Sequence, residues 1–214
     1  MALCLFFDIF YIAFKAKKKN ILGLFAKVLA ALCFIIIGHF GYLGHKTIYT
    51  YYVVLGLILD GFGDLFLALR NIFAKNVTFL IGAICFLSGH IMYIRALSLL
   101  ENNYLITCIV AGVILGAILF YLFNRVCRFS KVFTIVGIAY TSIIMIMVAM
   151  SVGVYYTYNS IYNLVFMLGA ILFVSSDIIL IINNFSKKEK WMHPVYSILY
   201  FIAQILISYS LHIW

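Results

Sequence analysis

Runs of about twenty apolar residues, separated by clusters of only a few polar ones, repeat along almost the whole chain. A hydrocarbon core of about 30 Å is crossed by roughly 20 helical residues. The runs lack the apolar/polar alternation of barrel strands, and a single proline leaves long helices unbroken. The pattern predicts transmembrane helices over 1–14, 21–44, 48–69, 77–97, 103–123, 132–150, 160–183 and 194–213, the first of them short. The connections leave no room for a soluble domain. The expected architecture is therefore all-α and integral to the membrane, about eight helices in one bundle forming a single polytopic domain over 1–214.

Composition strengthens this reading. The chain is 67% hydrophobic and 10% charged, against roughly 25% charged in soluble domains. A net charge of +9 would suit nucleic acid, but the cations form no stripe interleaved with aromatics, and no nucleic-acid partner is expected. They sit between the apolar runs, as topology determinants do. One side holds Lys15, Lys17, Lys18, Lys19, Arg70, Lys75, Arg125, Arg128, Lys131, Lys187, Lys188 and Lys190; the other holds Lys46 alone. This bias puts the odd-numbered connections in the cytosol and both termini outside it, in a bacterial cytoplasmic membrane or, in a eukaryote, the endoplasmic reticulum. Trp191, Trp214 and the tyrosines around 49–52 and 155–158 fall near span ends, where amphipathic rings favour the interface. The five cysteines include no CxxC pair and read as small core residues. The apolar start from Ala2 lacks a basic region and a cleavage site, so no cleaved signal peptide is read there.

An ionisable group inside a span costs at least about 2.5–3.5 kcal/mol at the bilayer centre, so each demands a reason. Asp60 and Asp64 share one face of the third span at i, i+4. Asp177 follows Ser175 and Ser176 in the seventh, Lys27 lies in the second, His90 and Arg95 in the fourth, and Tyr140 in the sixth. Tyr200 and Gln204 lie in the eighth. Several of these fall at similar depths, which predicts convergence on an internal, hydrated cavity; structural ion pairs such as Lys27 with an aspartate are the alternative. An internal repeat supports convergence. Ala26-Lys27 recurs as Ala139-Tyr140 and Asp64 as Asp177 at an offset of 113, and His90 maps to Gln204 at 114. Four spans separate the copies, so two four-helix halves would be parallel, with the two aspartates facing each other.

At these residues the sequence resembles the YhhN family of membrane proteins, whose characterised eukaryotic members are lysoplasmalogenases. Gly56-Leu57-Ile58-Leu59 leading to Gly63-Asp64-Leu65-Phe66-Leu67 looks like the family's GL…GD-x-x-L helix. Phe79, Gly82, Phe86, His90 and Tyr93 are similar to its F-x-x-G-x-x-x-F-x-x-x-H-x-x-Y helix. Gly169-Ala170, Phe173 and Ser176-Asp177 resemble its G-x-x-x-F-x-x-SD segment, and Tyr200 with Ala203-Gln204 its Y-x-x-AQ ending. Lys27 falls where the family places an early lysine. Asp60 departs from the pattern, which has a small or weakly polar residue there.

The resemblance implies hydrolysis of the vinyl ether of a lysoplasmalogen to a fatty aldehyde and a glycerophospho-alcohol. The partners would be a lysophospholipid with an alkenyl chain and the surrounding membrane lipids, with no cofactor and no metal. Such a reaction needs one carboxyl to protonate the alkenyl β-carbon and a second, ionised one to stabilise the oxocarbenium ion and activate water, a division that glycosidases also use. Asp64 and Asp177 would be that catalytic pair. Lys27, Asp60, His90, Tyr93, Tyr140, Ser176, Tyr200 and Gln204 would bind and orient substrate. Two readings compete. One is a metal hydrolase, although the membrane histidines His39, His90 and His212 lack HExxH spacing. The other is a small proton-coupled transporter using the buried aspartates.

Overall fold

A computed structural model describes residues 1–73 and 76–213; Lys75 and Trp214, assigned above to a cytosolic connection and an interface, fall outside them. Eight helices follow one another: α1 (Ala2–Ala16), α2 (Asn20–Gly44), α3 (Ile48–Phe73), α4 (Asn76–Leu97), α5 (Leu105–Val126), α6 (Lys131–Tyr158), α7 (Ile161–Phe185) and α8 (Met192–Ser210). Among the described residues, seven of these helices are long and apolar enough to cross a membrane. The fifteen residues of α1 reach about 22 Å at 1.5 Å each. That helix lies antiparallel against α2, its Cys4 thiol donating to the Ala30 carbonyl at 3.3 Å and Tyr11 beside Gly23.

Most boundaries fall within a few residues of the expected ones. The exception is α6, which continues two turns past residue 150, through Tyr155, Tyr156 and Tyr158. Aromatic residues tolerate a helix, and the stop comes from Asn159, which takes the left-handed conformation at φ 47° that asparagine adopts more readily than most side chains. Pro194 sits in the first turn of α8, where its missing N–H leaves no helical bond unmade.

The helices are apolar outside and small or polar inside. Along α2, Phe25, Leu29, Leu32 and Ile36 are exposed, whereas Ala26, Lys27, Ala30 and Phe34 are buried. In lipid there is no hydrophobic drive between helices, so close packing and internal polar bonds must hold them together.

The packing repeats itself. Contacts of α1 with α2, α2 with α3 and α3 with α4 recur as α5 with α6, α6 with α7 and α7 with α8, and α2 against α8 recurs as α6 against α4. Single contacts recur as well. A Cβ on Gly56 would lie 2.4 Å from the ring of Tyr93, and one on Gly169 would lie 2.8 Å from Ile207. These glycines are 113 apart and their neighbours 114. Overpacking of this kind costs about 1–3 kcal/mol. Gly56→Ala and Gly169→Ala should each lower the thermal denaturation midpoint in detergent, whereas Gly44→Ala, with nothing within 4 Å, should leave it unchanged.

Candidate active site

The inward faces enclose a cavity of about 880 Å³, its open mouth included. Its wall is aromatic: Phe79 from α4, Phe120 and Phe123 from α5, Phe129 from the α5–α6 connection, Phe133 from α6 and Phe185 from α7. Its polar groups are Lys27, Asp64, Tyr140, Thr141, Ser176, Asp177, Tyr196, Ser197 and Tyr200. Lys27, Asp64, Tyr140, Asp177 and Tyr200 lie seven to nine residues inside their helices, about 10–14 Å from the ends that carry the basic connections. The expected convergence at one depth is present in the geometry.

The two cavity aspartates have different partners. Asp64, 1% exposed, has Oδ1 2.9 Å from Lys27 Nζ and accepts from the Tyr200 hydroxyl at 2.7 Å through Oδ2. Asp177 is 9% exposed and accepts from the Tyr140 hydroxyl at 2.5 Å; its repeat-related neighbour is a neutral phenol where Asp64 has an ammonium. The pair Lys27–Asp64 ties α2 to α3, and Tyr140–Asp177 ties α6 to α7 in the same way. Because the Tyr140 proton goes to Asp177, the 3.3 Å contact between Tyr140 and His90 Nε2 has the imidazole as donor. His90 is thereby protonated on Nε2, and its buried Nδ1 has no partner.

Behind the cavity floor lies a second polar layer. Asp60 accepts from Tyr93 and from Gln204 Nε2, each at 2.7 Å, and Gln204 Nε2 also reaches the Tyr200 hydroxyl at 3.3 Å. A hydrogen-bonded thread thus runs from Asp64 through Tyr200 and Gln204 to Asp60. Asp60, His90, Tyr93 and Gln204, expected to meet substrate, do not line the cavity; they act on it through Tyr140 and Tyr200. Phe173, between His90 and Tyr200 at ring distances of 4.7 and 5.3 Å, occupies the position that repeats Asp60. Gln204 therefore serves the Asp64 side only. Ser176 lines the cavity, but its hydroxyl donates to the Tyr196 carbonyl at 2.8 Å and binds α7 to α8.

One buried acid escaped the sequence reading. Asp8 of α1 is fully buried and accepts from Ser197 at 2.6 Å. Its signal was a lone carboxylate within the apolar run Leu5–Phe14. Among the described residues, no three His, Cys, Asp or Glu side chains are grouped to hold a metal ion.

A bundle with lipid-facing apolar helices around a cavity floored by two carboxylates and a lysine is an integral membrane protein with an internal polar site. The chain belongs to the YhhN family, whose family model matches residues 3–211. No curated protein and no solved structure matches it.

Removing one partner of a buried ion pair leaves an uncompensated charge and costs about 3–5 kcal/mol. Lys27→Met should therefore lower thermal stability in detergent strongly, and Lys27→Met with Asp64→Asn should recover most of the loss. A double variant destabilised by the sum of the Lys27→Met and Asp64→Asn losses would show that the pair contributes nothing.

Proposed function

We propose that this protein hydrolyses the vinyl ether of lysoplasmalogens, taking its single-chain lipid from the membrane. The observation that carries the proposal is the pair Asp64 and Asp177 lining one cavity with a phenylalanine wall, each with a different partner. That wall suits an alkenyl chain.

The geometry divides the work. Asp64, held against the Lys27 ammonium, is the charged carboxylate. Asp177 faces only a phenol, and with Oδ2 engaged by Tyr140 it keeps Oδ1 for a proton. Asp177 gives that proton to the alkenyl β-carbon, and the carbon bearing the ether oxygen becomes an oxocarbenium ion. Asp64 stabilises this cation electrostatically, as a charge fixed in advance. Water attacks the cationic carbon and returns a proton to Asp177. The hemiacetal then passes its hydroxyl proton to the ether oxygen and separates into aldehyde and glycerophospho-alcohol. One water is consumed and the enzyme is restored.

The cavity lining reaches the helix ends that carry most of the lysines and arginines, through Phe79, Phe129, Phe133 and Phe185, so a head group there would meet cations while the chain lies among the helices. By the same charge bias, that end faces the cytosol and both termini lie outside it, in a bacterial cytoplasmic membrane or the endoplasmic reticulum.

Two experiments test this. Purified protein in detergent with lysoplasmenylethanolamine should release fatty aldehyde, and Asp64→Asn or Asp177→Asn should each reduce the rate by about two orders of magnitude or more; because Asp64→Asn also leaves the Lys27 charge unpaired, each variant is assayed below its own denaturation midpoint. Aldehyde release that survives both substitutions removes these residues from the chemistry. No release from the unmodified protein, with proton-dependent solute uptake into vesicles, would assign the site to transport. For orientation, a C-terminal reporter active only in the cytosol should stay silent, and full activity would reverse the topology.

A further inference from the structure

Most cations of the basic connections are fully solvated: Lys17, Lys18, Lys19, Lys187 and Lys188 are all exposed. Lys15 and Arg70 are not. Both are half-buried at the rim of the bundle, and neither has an acidic partner. The ion pairs among the described residues are Lys27–Asp64 and Lys187–Glu189. Lys15 Nζ instead approaches two phenol oxygens, Tyr11 at 3.3 Å and Tyr196 at 3.5 Å. Arg70 donates to the Asn184 side chain at 2.6 Å and lies 4.6 Å from the ring of Phe79. Lys27, Arg70 and Lys188 are all close enough to repel the Lys15 charge. Burial, and then these neighbouring charges, disfavour the charged form of Lys15, and an anion seated between Lys15 and Arg70 would restore it.

A second observation points the same way. The ring of His193 packs against Tyr11 and Tyr196, the two phenols that approach Lys15, at 5.3 and 5.1 Å. Its Nε2 is buried and has no partner. An imidazole N–H, an ammonium and a guanidinium are the donors that bind phosphate oxygens, and the guanidinium can do so through two parallel bonds. The cluster adjoins the cavity, since Tyr196 and Phe79 belong to the wall as well.

We infer that Lys15, Arg70 and His193 form a phosphate-binding site at the cavity rim, built for the phosphodiester of a single-chain lipid whose chain enters the aromatic cavity. The anion site stands on its own geometry; its assignment to the substrate's head group rests on the hydrolase reading.

Binding can be measured without turnover. The probe is a 1-O-alkyl lysophosphatidylethanolamine, a saturated ether with no vinyl bond to cleave, titrated into the full-length protein in neutral detergent. It is compared with the 1-O-alkylglycerol of the same chain and with inorganic phosphate. The phospholipid should bind, and Lys15→Gln or Arg70→Gln should weaken it about tenfold or more. The alkylglycerol should bind more weakly and ignore both substitutions. Lys15→Arg and Arg70→Lys, which keep the charge, should retain most of the affinity and so separate lost binding from lost folding. Inorganic phosphate that binds as tightly as the lipid, with the same sensitivity, would support the anion site and make free phosphate its ligand. Alkylglycerol binding as tightly as the phospholipid, or indifference of the phospholipid to both charge-removing variants, would overturn the site. Aldehyde release plays no part in this readout, so a failed hydrolase assay would leave the anion site standing.

Discussion

An ammonium and a carboxylate 2.9 Å apart, both almost wholly buried, sit about 10–14 Å inside a bundle whose outer surface is apolar. Burial strips both groups of most of their solvation, so each depends on the other, and both depend on the helices being in register. That constraint fixes α2 against α3. It also explains why small residues cluster around it: Gly63, one position before Asp64, lets the Phe86 ring of α4 approach closely enough that a Cβ there would lie 2.7 Å from it. The tyrosine of α8 that completes the Asp64 environment can then reach across.

The second half of the chain reuses this frame with different chemistry. Tyr140 stands where Lys27 does, Phe173 where Asp60 does, and Gln204 where His90 does. The helix contacts are conserved between the halves, so divergence falls on the side chains that point inward. The outcome is an asymmetric site inside a near-symmetric scaffold: one aspartate beside an ammonium and a hydrogen-bonded thread, the other beside a phenol held by an imidazole. Reactions that build up a positive charge and move a proton need two such unlike carboxyls. A symmetric pair would have to divide its labour by mutual repulsion alone.

Much of the fold was legible because lipid imposes a simple rule, that a crossing helix must be apolar for about twenty residues. The positions of Lys27, Asp64, Tyr140, Asp177 and Tyr200 around one cavity were legible for the related reason that polar groups at equal depth have only the interior to share. What lay beyond reach follows from the same physics. Phenylalanines that wall a cavity read like phenylalanines that face lipid, so Phe79, Phe120, Phe133 and Phe185 carried no signal. Depth alone does not separate a residue on the cavity floor from one behind it, which is why Asp60, His90, Tyr93 and Gln204 were grouped with the lining. Asp8 lay in the shortest run, where one acid reads as a break in a span. The extent of α6 depended on Asn159, a stop set by backbone conformation and not by hydropathy.

The proposed hydrolysis requires a charged Asp64 and a protonated Asp177. Infrared difference spectroscopy in detergent reads this division directly, because a protonated carboxyl has a carbonyl stretch well separated from the carboxylate bands. At neutral pH, the spectrum of the unmodified protein minus that of Asp177→Asn should contain a protonated-carboxyl band, and the corresponding difference for Asp64→Asn should show the loss of a carboxylate pair of bands instead. A protonated-carboxyl band that disappears with Asp64→Asn and persists with Asp177→Asn would reverse the roles and contradict the account.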